Sequence, residues 1–332
     1  MRRLRILATT LPVLLVTACS GGGQSDHPAT RAPSASPPHS VATAPVPASP
    51  RHLVVRTERW RLPYAVAREA TAPLGQGRFV VAGGLLAGDS STDRTLVIDP
   101  TAGRVTTAAS LPLPVHDTAG LALGGRVLVV GGGNASEQGT VQASAGHAWT
   151  VVGHLPQPRS DLTAVPVGGR ALVLGGYDGT STAMSAILAS GDGRHWRRVG
   201  TLPLPVRYAA SAVVGRSVWL FGGERAGVEQ RAVQEVGADG HARVVARLPV
   251  PLGHAVAVPL GGRILLAGGR PTAGSVTDRM WWFDTSTRRF TPAGRLPRPL
   301  ADSAVLADGD TAWLAGGESP SVSDRVVRLS VR

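Results

Sequence analysis

Six positions, each six residues beyond the leucine of a Leu-Pro pair, carry polar or ionisable side chains. Counted from Leu62, Leu111, Leu155, Leu202, Leu248 and Leu296, they are Arg68, Asp117, Asp161, Tyr208, His254 and Asp302. Each stands beside a stretch of Ala, Val and Leu. Three carboxylates, an imidazole, a phenol and a guanidinium, once brought together, suit a polyhydroxylated or cationic small ligand, or a peptide loop. A second polar set follows glycine doublets: Asn134, Tyr177, Asp178, Glu224, Arg225, Arg270 and Glu318. For proton transfer the candidates are His116, beside Asp117, and His254. Imidazole is the side chain that ordinarily titrates nearest neutral pH, and a neighbouring carboxylate can orient it. A His-Asp neighbour pair is not a catalytic set, so binding without chemistry is the first reading.

Other chemistries are disfavoured by spacing. No glycine doublet carries the Gly-Lys-Ser/Thr of a phosphate loop, and none opens a helix. Asp178-Gly179 and Asp192-Gly193 read as turns, because a calcium loop needs several spaced oxygen ligands. His147, His154, His195 and His241 lack the pairing typical of zinc. The single Cys, Cys19, excludes an intramolecular disulfide and a Cys-based metal cluster. No metal and no cofactor is expected.

The elements that must position these residues show in a repeat. Six doublets, Gly83-Gly84, Gly131-Gly132, Gly175-Gly176, Gly222-Gly223, Gly268-Gly269 and Gly316-Gly317, recur at steps of 44 to 48 residues, each closing a short apolar run. Such a period marks a stacked or radial array whose units cannot bury their faces alone. One unit, Tyr208 to Leu248, reads as four short strands with tight turns at Gly215-Arg216 and Gly237 to Gly240. Its second strand, Val218 to Phe221, is apolar on both sides, as a sheet packed between two neighbours requires. Consecutive strands run antiparallel, so the loop entering the first strand and the loop after the second share one face. Both polar sets therefore belong to one channel mouth. The alternative stays open that a wet mouth is polar in any case and that Arg and Asp there latch neighbouring units.

The Gly-Gly spacing, with Leu-Pro ending each unit, resembles the Kelch repeat. That resemblance implies a β-propeller over residues 52–332, with a Trp before the fourth strand. Trp149 and Trp196 hold that place, Phe290 substitutes, and Val105 and Val244 stand there in two further units. The family's third-strand Tyr is absent. Six all-β blades are expected, because the last unit supplies only three strands. The segment His52 to Pro63, with Trp60 in roughly the Trp place, is the missing fourth. Met280 to Phe283 reads as inter-blade packing on one buried face of a third strand. Two Kelch-like enzyme families bear on function. The copper radical oxidases need a Cys-crosslinked Tyr that this chain cannot form. The six-bladed mutarotases of sialic acid share the blade count and give the alternative reading, a sugar-directed enzyme.

Residues 1–18 read as a secretory signal: a cationic start, a short apolar stretch from Ile6 to Val16, then Val16-Thr17-Ala18-Cys19. The last four resemble the bacterial lipobox, whose Cys is acylated. Residues 19–51, rich in Pro, Ala, Ser and Gly, cannot bury enough surface to fold and read as a tether. The expected protein is a monomer outside the cytoplasm, held to membrane lipid through acylated Cys19. Its expected partner is a glycan or surface protein. The formal net charge of +12 comes entirely from Arg over acids, with no Lys. These Arg residues are scattered rather than clustered with aromatics, so nucleic acid is not expected as a partner.

Overall fold

The structure is a computed structural model that describes residues 52–144, 148–180 and 182–332. The leader, Cys19 and the tether, like His147, lie outside the described residues. Among the described residues there is no helix, so none is long and apolar enough to cross a membrane.

Six four-stranded antiparallel sheets form the blades of a propeller. Blade 1 runs Ala70–Gly75, Arg78–Ala82, Thr95–Asp99 and Arg104–Ala108. Blade 2 has Ala119–Leu123, Arg126–Val130, Thr140–Ser144 and Trp149–His154. Blade 3 has Thr163–Val167, Arg170–Leu174, Ala186–Ser190 and Arg197–Thr201. Blade 4 has Ala210–Val214, Ser217–Phe221, Ala232–Gly237 and Ala242–Arg247. Blade 5 has Val256–Leu260, Arg263–Ala267, Arg279–Asp284 and Arg289–Arg295. Blade 6 takes Ala304–Asp308, Thr311–Ala315 and Val326–Val331 from the C-terminus. Its outer strand is Leu53–Thr57, paired antiparallel from Leu53 opposite Val331 to Thr57 opposite Val327. The two ends of the domain thus close one sheet, and no third-strand edge is left open there.

Neighbouring first strands touch around the ring, and blade 1 meets blade 6. Alternation along each second strand sends side chains to two interfaces. Leu128 and Val130 pack toward blade 3, Val127 and Val129 toward blade 1. Six such apolar clusters, one between each pair of neighbouring blades, make up the core. The aromatic run in blade 5 follows the same rule and corrects the one-face expectation. Met280 and Trp282 face blade 6, while Trp281 and Phe283 face blade 4, so both faces are buried. Trp60 is also displaced from its expected place. It falls beyond the end of the outer strand and packs against Gly103, where a Cβ would come within 2.9 Å of its ring.

The glycine doublets are inter-blade joints. The second glycine donates its N–H to a carbonyl in the loop entering the next blade, as from Gly223 to Leu252 at 2.8 Å. The first glycine makes room for that carbonyl: a Cβ on Gly222 would lie 2.0 Å from the Leu252 oxygen. Both glycines have positive φ, 60° and 88°. Space and backbone angle together demand glycine.

Candidate functional site

The six positions read from the Leu-Pro spacing form a closed ring at one end of the central channel. The N–H of each donates to the carbonyl of the preceding one in a cycle, from Asp117 to Arg68, Asp161 to Asp117, and so on until Arg68 donates to Asp302. All six bonds measure 2.9–3.1 Å. All six residues sit in the left-handed region, with φ between 50° and 61°. That conformation costs a side-chain-bearing residue roughly 1–2 kcal/mol and costs glycine almost nothing. A backbone latch alone would therefore favour glycine, yet the positions hold Arg, Asp, Asp, Tyr, His and Asp.

A second tier is set by short backbone bridges within each blade. The residue before each ring position pairs with the residue after each glycine doublet, bringing Arg207 against Glu224, Gly253 against Arg270 and Ala301 against Glu318. The side chains then meet across the axis. Arg68 donates from Nε to Glu318 Oε1 at 2.9 Å and from Nη1 to Asp117 Oδ2 at 3.2 Å. Its Nη1 also reaches Tyr208 Oη of blade 4 at 3.5 Å, and that hydroxyl donates to Asp117 at 3.3 Å. His254 Nδ1 bonds Asp302 Oδ1 at 2.7 Å, and its ring stacks on Tyr208 with centroids 3.8 Å apart. Arg270 joins Asp302 to Glu318. Arg207 binds Glu224, lies 3.4 Å from Asp161 Oδ2, and sits over the rings of Tyr177 and Tyr208. Beneath the ring, the first strands enclose a channel cavity of about 330 Å³, lined by small residues such as Gly120, Ser211 and Ala257.

Burial sets the charge states. It raises Asp161 to about 7, helped by the Asp117 charge and opposed by Arg207. It raises Asp117 as well, against the pull of Arg68. For His254, burial alone would favour the neutral ring. The Asp302 carboxylate and its hydrogen bond reverse this, with Glu224 assisting, and lift it to about 9. Glu224, held by His254 and Arg207, falls to about 2. Burial and the Asp117 charge push the Tyr208 phenol far above its ordinary range, so it remains a donor. His254 is thus an imidazolium at neutral pH, unsuited to act as a base.

Of the second sequence-derived set, Glu224, Arg270 and Glu318 join the ring, and Tyr177 lies under Arg207. Asp178 does not join. Its carboxylate accepts from Thr180 and from Gln157. Arg225 is exposed on the ribbon Glu224–Arg225/Val228–Glu229, turned away from the ring that Glu224 joins. Asn134 stands at the rim, its carboxamide oxygen 3.4 Å from Ser91 Oγ. Arg207 is central and was not picked out in the sequence. The positions preceding the ring are Ala67, His116, Ser160, Arg207, Gly253 and Ala301, which share no chemical type. Among the described residues, no group of three or more His, Cys, Asp or Glu is arranged to hold a metal ion.

Residues 251–297 match the family model of the Kelch motif. Among solved structures, the chain is similar to that of YjhT, with 17% identity and a TM-score of 0.71 over 82% of this chain and 99% of that one. No curated protein matches it. At that identity the likeness carries the fold alone.

Proposed function

We propose that this Kelch-type six-bladed propeller is a binding module whose site is the polar mouth of its channel, and that its ligand is small and rich in oxygen acceptors. The observation that carries this is the ring itself: six left-handed positions hold large polar side chains where glycine would be easier. The ligand class follows from exposure. Side chains of Arg68, Arg207 and Arg270 keep 16–24% of their surface open, against 3–12% for Asp117, Asp161, Asp302, Glu224 and Glu318. The carboxylates form a floor already engaged by Arg and His. Guanidinium groups carry five N–H donors each, so donors remain for carboxylate or hydroxyl oxygens of a ligand. A cationic ligand would meet the Arg residues first.

A thermal-shift screen of citrate, glucuronate and sorbitol tests this. A compound present at 100 times its Kd stabilises the folded state by about 2.7 kcal/mol, a shift of several degrees. The shift is expected for the wild type and lost in Arg207→Ala and Arg270→Ala. A compound that shifts all three proteins equally binds elsewhere.

The same proposal places the domain outside the cytoplasm, tethered by acylated Cys19. The basic start, apolar centre and small residues before Cys19 support this reading. Cys19→Ser should move the protein from the membrane fraction to the soluble fraction; unchanged membrane association rules out that anchor.

A further inference from the structure

His116 and Ser91 stand outside the binding network just described, at the edge of the mouth between blades 1 and 2. Ser91 lies on the short ribbon Leu85–Leu86/Ser90–Ser91 that follows the second strand of blade 1. His116 lies in the loop entering blade 2, fixed by paired backbone bonds to Gly133 of 2.9 and 2.7 Å. These two loops bring Ser91 Oγ within 2.8 Å of His116 Nδ1. On the other side of the imidazole, Nε2 faces Asp117 Oδ2 at 3.5 Å. Asp117 is itself held by Arg68 and Tyr208. Asn134, from the loop after the second strand of blade 2, places its carboxamide oxygen 3.4 Å from Ser91 Oγ. The His116 side chain keeps 19% of its surface open, and Ser91 is half-buried, so a substrate can reach both.

We propose that Ser91, His116 and Asp117 constitute an acyl-transfer site that hydrolyses small esters, with Ser91 as nucleophile, His116 as base and Asp117 as the residue that positions the imidazole. The Asp117 carboxylate, 3.5 Å from Nε2, favours the tautomer protonated there, which leaves Nδ1 to accept the serine hydroxyl. The two nitrogens are used in the opposite order to the serine protease arrangement. The chemistry requires only that one nitrogen be free toward the nucleophile while a carboxylate fixes the other. Ser91 Oγ bonds to the ester carbonyl carbon and its proton passes to His116 Nδ1. The oxyanion forms beside the Asn134 carboxamide, whose oxygen stands 3.4 Å from Ser91 Oγ and which must turn over to offer its NH₂ as donor. Collapse breaks the bond to the alkoxide, which leaves as an alcohol with the proton from His116. Water, deprotonated by His116, then attacks the acyl-Ser91 ester and releases the carboxylic acid and free serine. This activity goes beyond the ligand binding proposed for the mouth, with which it shares Asp117 but not the guanidinium groups of Arg207 and Arg270.

The test treats the full-length chain with a fluorophosphonate, which bonds phosphorus to an activated serine with loss of fluoride, and maps the adduct by mass spectrometry. A single adduct at Ser91 is expected, absent in Ser91→Ala and formed at least tenfold more slowly in His116→Ala. Wild-type protein with no adduct, or with one at another serine, overturns the proposal without any variant being made. Asp117→Asn should slow labelling at least tenfold while its melting temperature stays within that of a folded domain; a wild-type rate removes Asp117 from the site. The thermal-shift screen is read separately: a ligand-dependent shift in protein whose Ser91 does not label separates failure here from failure of the ligand reading.

Discussion

Glu69 follows Arg68 directly, yet its carboxyl lies between blades 6 and 1 rather than in the network above it. A Cβ on Gly316 would come within 3.0 Å of its Oε1, no side chain hydrogen-bonds the carboxyl, and the backbone N–H groups of Glu69 and Ala304 offset its burial only in part. Burial, with the Asp302 and Glu318 charges nearby, raises this group to about 8. The folded state therefore holds the proton more tightly than the unfolded chain does. The stability this brings is complete below about pH 4.5 and is lost as pH rises through 8. Glu69→Gln keeps the shape and removes the titration. It is expected to stabilise the domain by about 1–3 kcal/mol near pH 9 and to leave it little changed near pH 4. Denaturant unfolding at the two pH values checks this, and an equal effect at both would place the carboxyl in water. Nothing in the residue order around Glu69 marks it, because its environment is made by a glycine far along the chain.

At the scale of the element, the glycine doublet is the unit on which the ring is built. Two substitutions separate its two roles. Gly215 has φ 61° in an open turn with nothing near its Cβ position, so Gly215→Ala should cost about 1 kcal/mol for the backbone angle. Gly222 has nearly the same φ, but its Cβ would lie 2.0 Å from a carbonyl oxygen of the next blade. Gly222→Ala should cost about 3 kcal/mol or more, since the joint must open. Equal costs in chemical denaturation would show that only backbone angle matters. The doublets, the Leu-Pro pairs and the six-residue count were legible in the chain because they recur in every blade. Register within each sheet follows from them, and so does the ring. Arg207, Glu69 and Ser91 were not legible. Each acts through a contact made by folding, at a position whose equivalents in other blades have different chemistry. Trp60 was misplaced for a related reason: the closing strand is shorter than its apolar pattern, and the indole packs on the turn of blade 1 instead.

For the whole molecule, circular closure explains why the mouth can be so polar. The apolar burial lies between blades, and the outer strand from residues 53–57 seals the last sheet. A ring of six inter-blade backbone bonds then holds the mouth residues in an unfavourable backbone region without relying on their side chains. Those side chains are left to meet across the mouth, with the guanidinium groups more exposed than the carboxylates they pair with. The direct test is a crystal structure of the domain with whichever of citrate, glucuronate or sorbitol raises its melting temperature. Density for that compound is expected over the axis, with its oxygens within hydrogen-bonding distance of Arg207 and Arg270. Density confined to the blade edges or to the opposite face, with the mouth side chains unchanged, would contradict the account.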